Sequence, residues 1–207
     1  MPKTIEQLRP ANLAKSEVTR RSLIASARKL FGDQGFAGTS VDEVVKAAGV
    51  TKGALYHHFR DKDDLFRAVV EQVKVDVTAK AADSFFDDSD NDDPLQRVHR
   101  LFIAMIDAHL DPAIQRISII DARSVFDAST RRDLATRYEA SLLRGAFRSA
   151  MRAGAIEQQP LGPLAHIVAG ALAEACALIA EADDKDAART EVTQVLARLI
   201  DGLQPRA

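Results

Sequence analysis

The chain has little of what builds extracellular or metal-stapled folds: its 207 residues include one cysteine and no tryptophan. The single Cys176 excludes an intramolecular disulfide and a cysteine-built zinc site, and it fits a reducing compartment. No run approaches the roughly 18 uninterrupted apolar residues of a membrane span. The first 17 residues also lack the apolar core of a signal peptide. We therefore expect a cytoplasmic globular protein that has no membrane partner.

An excess of basic residues is also missing from the chain as a whole, whose formal net charge is -2. The charges are nevertheless uneven: residues 1–62 hold 11 Lys and Arg against 6 Asp and Glu, whereas residues 63–207 hold 17 against 24. A basic patch suits a polyanion, because neutralising phosphates releases condensed counterions. The charge pattern indicates that any nucleic acid binds at the N-terminal end.

Alternation of apolar and polar residues, the pattern of β-strands, is absent. Apolar residues recur instead at helical spacing, as Leu23, Ala27, Leu30 and Phe31 do, and Gly32 and Gly35 should end that first helix. We predict an all-α fold of nine or ten helices, with an acidic loop at 83–94. The predicted helices cover residues 16–31, 41–48, 52–59, about 61–82, 95–110, 112–120, 129–153, 161–181 and 186–203.

Two short helices near the N-terminus are joined by a tight turn. Ser40 lies three residues before Glu43, which is the spacing of a capping box at a helix start. Gly49 is suited to end that helix, and Thr51 to cap the next one. The spacing predicts a helix-turn-helix motif.

Residues from about Thr19 to Val69 closely resemble the DNA-binding domain of the tetracycline-repressor (TetR) family of transcriptional regulators. The matching stretches are SLIASARKLFGDQGFAGTSV, VDEVVKAAGVTKGALYHHF and DKDDLF. The resemblance implies a helix-turn-helix domain at residues 16–62, preceded by an arm at 1–15 that is either flexible or reaches along the DNA. It further implies a larger effector-binding and dimerisation domain at residues 63–205.

The second helix of a helix-turn-helix lies in the major groove with its N-terminal residues nearest the bases. Lys52 can neutralise a phosphate or donate to guanine, and Gly53 lets the backbone come close. Thr51 lies at the same end of the helix, and Arg21 or Arg20 is a further candidate for a phosphate contact. The resemblance implies contacts by Thr39, Ser40, Tyr56, His57 and Lys62. The expected DNA-binding residues are therefore Arg21, Thr39, Ser40, Thr51, Lys52, Gly53, Tyr56, His57 and Lys62. Tyr56 could instead pack between helices, and the charged residues near Arg21 could be a solvated face. Leu55 and Phe59 are predicted to be core.

The middle helices should form the sensor, because the resemblance implies a cavity for a small-molecule effector there. The expected lining residues are Phe102, Met105, His109, Arg123, Phe126, Tyr138 and Phe147, although a single aromatic or methionine at such a position is more often core than ligand wall. Arg123 lies in an apolar segment and needs a partner, for which Asp121 and Asp107 are candidates. Neither catalytic residues, a metal site nor a cofactor site is predicted from any motif.

The last two helices carry wide apolar faces that something must bury. The resemblance implies that residues 161–181 and 186–203 pair with their two-fold copy in a homodimer on a pseudo-palindromic operator. A ligand-responsive repressor is therefore the leading hypothesis. The alternative is a DNA-binding protein of the same fold without an effector, which would act in nucleoid organisation or on another protein.

Overall fold

The computed structural model describes residues 5–86 and 93–205, with side chains from Lys15 onward. The chain divides into two compact units, Met1–Glu71 and Gln72–Ala207. The helices are α1 (Ile5–Gly38), α2 (Val41–Ala48), α3 (Lys52–His58), α4 (Lys62–Phe86), α5 (Pro94–Ala108), α6 (Pro112–Gln115), α7 (Ala122–Val125), α8 (Ala128–Arg137), α9 (Glu139–Arg152), α10 (Leu161–Glu181) and α11 (Lys185–Asp201).

A π-helical segment, Arg116–Asp121, joins α6 to α7 without a break. When α6, the π-helical segment and α7 are counted as one continuous helix, the described residues contain ten helices and no strand. The predicted all-α fold is confirmed. The domain boundary expected between residues 62 and 63 falls at the start of α4, whereas the compact units divide within that helix.

Several helix ends differ from the prediction. Gly32 stays helical, and the break comes at Gly35, whose φ of 78° and ψ of 166° lie outside the helical region. The predicted loop at 83–94 is helical as far as Phe86, and residues 87–92 of it lie outside the described residues. The single helix expected at 129–153 is two helices, because Tyr138 has a ψ of -75° between α8 and α9.

The N-terminal unit is built on three phenylalanines. Phe31, Phe36 and Phe66 contact one another with ring centroids 4.9 to 5.7 Å apart. The predicted stripe of α1 is confirmed at Leu23 and Ala27, which are fully buried. Such aromatic contacts fix the start of α4 against the end of α1 and so position the short helices between them.

The C-terminal unit has one contiguous hydrophobic core, with members from α4, α5 and every helix from α9 to α11. Its innermost residues include Leu101, Met105, Leu143 and Phe147. By length and composition α10 could cross a membrane, with a mean hydropathy of 1.7. A core helix passes the same test, and the buried small residues of α10 serve here as packing surface.

Candidate functional site

Local capping fixes the ends of α2. The Ser40 hydroxyl accepts a hydrogen bond from the Glu43 amide at 3.2 Å, and the Glu43 carboxylate accepts from the Ser40 amide at 2.8 Å. The Ser40 hydroxyl also donates to the Glu43 carboxylate at 2.7 Å, and this bond, with the bond from the Ser40 amide, holds the pKa of Glu43 below its ordinary value. Gly49 ends the helix with a left-handed φ of 67°, which glycine adopts without strain. The predicted capping box and glycine cap are confirmed.

The next helix, α3, begins at its predicted cap, where Thr51 Oγ1 accepts from the Ala54 amide at 3.2 Å. Leu55 and Phe59 are buried, as predicted for its anchors. The exposed side of the helix carries four of the residues expected to meet DNA: Lys52, Gly53, Tyr56 and His57. Tyr56 is 49% exposed, so packing between helices is at most part of its role.

Lys52 has a partner that the sequence reasoning did not identify. Its ammonium lies 3.0 Å from Asp42 on α2, and this carboxylate raises the pKa of Lys52. Both side chains are more than half exposed, so the pair contributes little to stability. It does hold the lysine head at the N-terminal end of α3, where a major groove would lie.

Arg20 and Arg21, in α1, lie differently. The guanidinium of Arg20 sits 5.3 Å from the centre of the Phe59 ring, a cation–π contact that ties α1 to the end of α3. Arg21 is exposed and donates to Glu17 at 3.1 Å within its own helix. Of the two, Arg21 is therefore the more accessible to a phosphate.

Two of the expected phosphate contacts already have internal partners. Thr39 is 2% exposed, and its hydroxyl donates to the Gly35 carbonyl at 2.8 Å. The Lys62 ammonium donates to the carbonyls of Phe36 and Thr39 and lies 4.1 Å from the centre of the Phe36 ring. Both residues position the start of α2, and a direct DNA contact by either side chain stays a prediction.

The histidine pair of α3 has its rings at a T-shaped angle with centroids 5.3 Å apart. His58 is half-buried, whereas His57 is exposed, and burial lowers the pKa of His58. Within the described ranges, no group of three or more His, Cys, Asp or Glu side chains is placed to hold a metal.

The expected effector-lining residues of the C-terminal unit lie at different depths. Phe102, Met105 and Phe147 are core residues, and the two aromatic rings are 6.4 Å apart between centroids. Phe126 and Tyr138 are half-buried, at the ends of α7 and α8. The structure therefore brings the first three together in one cluster.

Of the partners expected for Arg123, Asp107 is wrong. The Arg123 guanidinium is at the surface and donates to Glu174 at 2.8 Å and to Glu181 at 3.2 Å, both on α10. Asp107 pairs with Arg189 instead, at 2.6 Å. The arginine lies at the surface because it follows the π-helical segment, whose wider turn changes the direction of later side chains.

A buried polar centre was missed by the sequence reasoning. Lys74 of α4 pairs with Glu139, the first residue of α9, at 2.5 Å, with side chains only 14% and 9% exposed. The charges of both groups act on His109. Burial lowers the pKa of His109, and its Nδ1 lies 2.7 Å from the Met105 carbonyl. Lys74 and Glu139 are separated by 65 positions in the chain, so no local spacing signals the pair.

Cys176 lies near the same centre, and its burial raises the pKa of the thiol to about 12. The charge of Glu139 adds to that rise, and the charge of Lys74 opposes it. A thiol with such a pKa stays protonated and unreactive at neutral pH. Its place in the core makes it a packing residue.

The helices expected to dimerise each leave apolar side chains exposed. On α10 these are Ile167 and Leu178, and on α11 they are Val195 and Leu199, each between 55% and 69% exposed. Part of the predicted α10 stripe, including Leu172 and Ile179, is buried in the unit's own core. The exposed apolar face thus lies on a neighbouring side of α10.

Two family models match the chain. The model described as bacterial regulatory proteins of the tetR family covers residues 23–69, and the tetracyclin repressor-like C-terminal domain covers residues 95–203. The matched proteins are transcriptional regulators. The first match contains α2, α3 and the start of α4, and the second contains the helices from α5 onward.

Solved and curated relatives agree with the family. A TetR-family transcriptional regulator from Pectobacterium atrosepticum has 32% sequence identity and a TM-score of 0.80, with 93% of this chain and 97% of that chain covered. The transcriptional regulator AcrR from Shigella flexneri is 47% identical over 28% of this chain and 26% of its own length. TtgR from Pseudomonas putida is 31% identical over 51% of this chain and 50% of its own. The curated relatives are therefore matched over half their length or less.

Proposed function

Because the chain belongs to the TetR family of bacterial regulatory proteins, we propose that it is a transcriptional repressor released from its operator DNA by a small molecule. The DNA-binding part of the proposal rests on the exposed side of α3, which carries Lys52, Gly53, Tyr56 and His57. The opposite side of the helix is held in the core by buried Leu55 and Phe59. We place its action in the cytoplasm, where bacterial DNA is found.

In the proposed complex, α3 lies in the major groove and α2 crosses the phosphate backbone. The Lys52 ammonium, held beside Asp42 in the free protein, turns to a phosphate or a guanine edge. Gly53 allows close approach because it carries no side chain. Tyr56 and His57, about one turn further on, reach the next phosphates or bases. Ser40 and Arg21 contact the phosphate backbone of the DNA.

The proposed assembly is a homodimer through α10 and α11. Ile167, Leu178, Val195 and Leu199 form exposed apolar surface on the two helices, and a two-fold copy would cover it. A dimer places two α3 helices on the two half-sites of a pseudo-palindrome, whose centres are about 34–36 Å apart. A monomer would contact only one half-site.

The proposed effector binds in the C-terminal unit and shifts the balance between two dimer arrangements. It can do so only if it binds one arrangement more tightly than the other. The helix α4 begins in the N-terminal unit at Lys62 and continues into the C-terminal unit as far as Phe86, so it provides a covalent route between the two.

The test is DNA binding by the full chain, two variants of α3 and one control variant. Lys52→Ala and Tyr56→Ala should weaken binding to the operator, found by selection from random duplex DNA, by at least about tenfold. Lys80→Ala removes an exposed lysine of the C-terminal unit and serves as the control. All three should melt within about 2 °C of the parent, because surface substitutions change stability little.

Affinity should also fall steeply with salt, as several phosphate contacts require. Equal affinity of the parent and the α3 variants would reject the DNA-binding proposal. If DNA binding is normal but a diverse compound library never releases the DNA, the effector-free alternative replaces the repressor–effector proposal.

A further inference from the structure

We propose that Glu139, with Lys74 and His109, is the hydrogen-bonding point of the effector site, and that it selects an uncharged compound bearing a hydroxyl group. The inference rests on the proposed function and gives the effector a chemical class. It starts from one buried carboxylate oxygen in the C-terminal unit.

Glu139 is 7% exposed, and only one of its two carboxylate oxygens has a hydrogen-bond partner. Oε1 accepts from the Lys74 ammonium at 2.5 Å, whereas Oε2 is buried without a hydrogen-bond partner. Buried polar atoms are almost always paired, and an unpaired acceptor beside a formal charge is expensive in free energy. An atom placed this way is suited to accept a hydrogen bond from a bound molecule.

His109 supplies a second acceptor in the same region. Its Nδ1 lies 2.7 Å from the Met105 carbonyl, which can only accept, so Nδ1 carries the proton. Burial lowers the pKa of the ring, and the neutral ring then presents Nε2 as an acceptor. The charges of both Lys74 and Glu139 reach this ring, which places the three groups in one neighbourhood.

The charge balance decides between kinds of ligand. The Lys74 ammonium and the Glu139 carboxylate cancel, so a charged ligand would leave an uncompensated charge in a buried site. The unpartnered Glu139 Oε2 calls for a donor. Apolar core residues lie beside the polar centre: Met105, whose carbonyl contacts His109, and Ala140, which follows Glu139 in the chain. An alcohol or a phenol combines an uncharged donor with an apolar skeleton and therefore fits best.

The position of Lys74 links recognition to the DNA-binding unit. It lies on α4, twelve residues after Lys62, where that helix begins. A hydroxyl that donates to Oε2 binds the same carboxylate that Lys74 holds through Oε1, so the ligand acts directly on the contact between α4 and α9. A ligand bound here therefore interacts differently with two conformations of the protein, as release of DNA requires.

The experiment compares hydroxyl compounds with hydrocarbons of equal size. Phenol is matched by toluene, and cyclohexanol by methylcyclohexane, with dissociation constants measured by NMR titration of the full chain without DNA. We expect at least one hydroxyl compound to bind about tenfold more tightly than its match, since hydrogen bonds to charged groups are the stronger ones. Comparison of phenol with cyclohexanol distinguishes aromatic from aliphatic alcohols.

A double variant tests whether the polar centre causes the preference. Lys74→Met with Glu139→Met replaces the pair by side chains of similar volume, a change that is often neutral or stabilising. It should abolish the hydroxyl preference. The control, Lys80→Met with Glu191→Met, changes two exposed residues of the same kinds and should keep it.

If neither alcohol binds more tightly than its hydrocarbon, the inference is overturned, and an ordered water on Glu139 Oε2 explains the geometry instead. This comparison needs only the native chain, so it holds even where the double variant fails to fold. An equal preference in the folded double variant also overturns it. The titrations contain no DNA, so failure of the proposed DNA-binding function would be seen separately, in the operator measurements.

Discussion

The ammonium of Lys62 lies 3.1 Å from the carbonyl oxygen of Thr39, across 23 positions of the chain. The same group donates to the Phe36 carbonyl at 2.9 Å. Both carbonyls follow the break at Gly35, and the Phe36 carbonyl has in addition a long backbone bond, 3.4 Å, from the Thr39 amide. The lysine therefore completes the end of α1 and fixes the residue just before the Ser40 cap, which makes its first role structural.

Replacement of Lys62 by methionine should destabilise the N-terminal unit. The apolar stem is kept, but two carbonyls lose a charged donor, and each such bond contributes roughly 1.5–3 kcal/mol before allowance for partial exposure. We expect a loss of about 1–3 kcal/mol in urea unfolding. Lys29→Met, at an exposed position of α1, is the control and should change stability by less than about 0.5 kcal/mol. A full-stability Lys62→Met protein with weakened operator binding would instead support the direct phosphate contact.

Gly53 separates stability from DNA binding. Its substitution by alanine leaves the nearest atom 3.9 Å from the new Cβ, so the free protein accommodates it. Alanine is favoured over glycine within helices by about 1 kcal/mol, so the variant should be somewhat more stable. If the backbone of α3 approaches DNA closely, the same methyl group should weaken operator binding about tenfold or more.

The matched control is Gly145→Ala, at an exposed position of α9 where an added Cβ has nothing within 4 Å. It should stabilise the protein similarly and leave DNA binding unchanged. Tight operator binding by Gly53→Ala would show that α3 does not make a close backbone approach at this residue.

The parts of the fold that could be predicted from sequence are those fixed within a few residues. Ser40 with Glu43, Gly49 and Thr51 each act over three or four positions, and each forms the cap that its spacing indicates. The alternation of buried and exposed residues on α3 has the same local origin, because Leu55 and Phe59 are one turn apart.

The parts that could not be predicted depend on distant packing or on irregular helices. Lys74 meets Glu139 only because α4 and α9 pack in the folded unit. The surface position of Arg123 depends on the π-helical turn before it, since a turn closed by i to i+5 bonds shifts the helical register by about one residue. The apolar residues around Arg123 in the sequence do not indicate that shift.

Acid should destabilise the C-terminal unit through His109. Burial lowers the pKa of His109 below the ordinary 6.5, so below that pH the unfolded chain binds a proton that the folded chain does not. Stability should therefore be fully present above pH 6.5 and fall as pH drops toward the folded-state pKa. Two charged groups act on the ring: Lys74 opposes its protonation and Glu139 favours it.

The measurement is the free energy of unfolding of parent and His109→Asn between pH 7.5 and 5. Asparagine keeps a donor near the Met105 carbonyl but does not titrate, so the variant should lose part of the pH dependence. Burial also lowers the pKa of His58, and His58→Asn separates its share. Glu43 and Asp127, whose pKa values are lowered by hydrogen bonds, lose their stabilising effect only at lower pH, below about 4.5. An identical pH profile for parent and His109→Asn would contradict the assignment.

Leu199→Glu should convert the proposed dimer to monomers. Leu199 is 59% exposed on α11, and two-fold symmetry would bury two new carboxylates in one interface without partners. We expect the dimer dissociation constant to rise at least about 100-fold, measured by light scattering after size-exclusion chromatography. Val75→Glu, at an apolar position of α4 that is 43% exposed, is the control and should leave the mass unchanged. Operator affinity should fall with the loss of the dimer, because each monomer then contacts one half-site. A Leu199→Glu dimer of unchanged affinity would place the contact between subunits on another face.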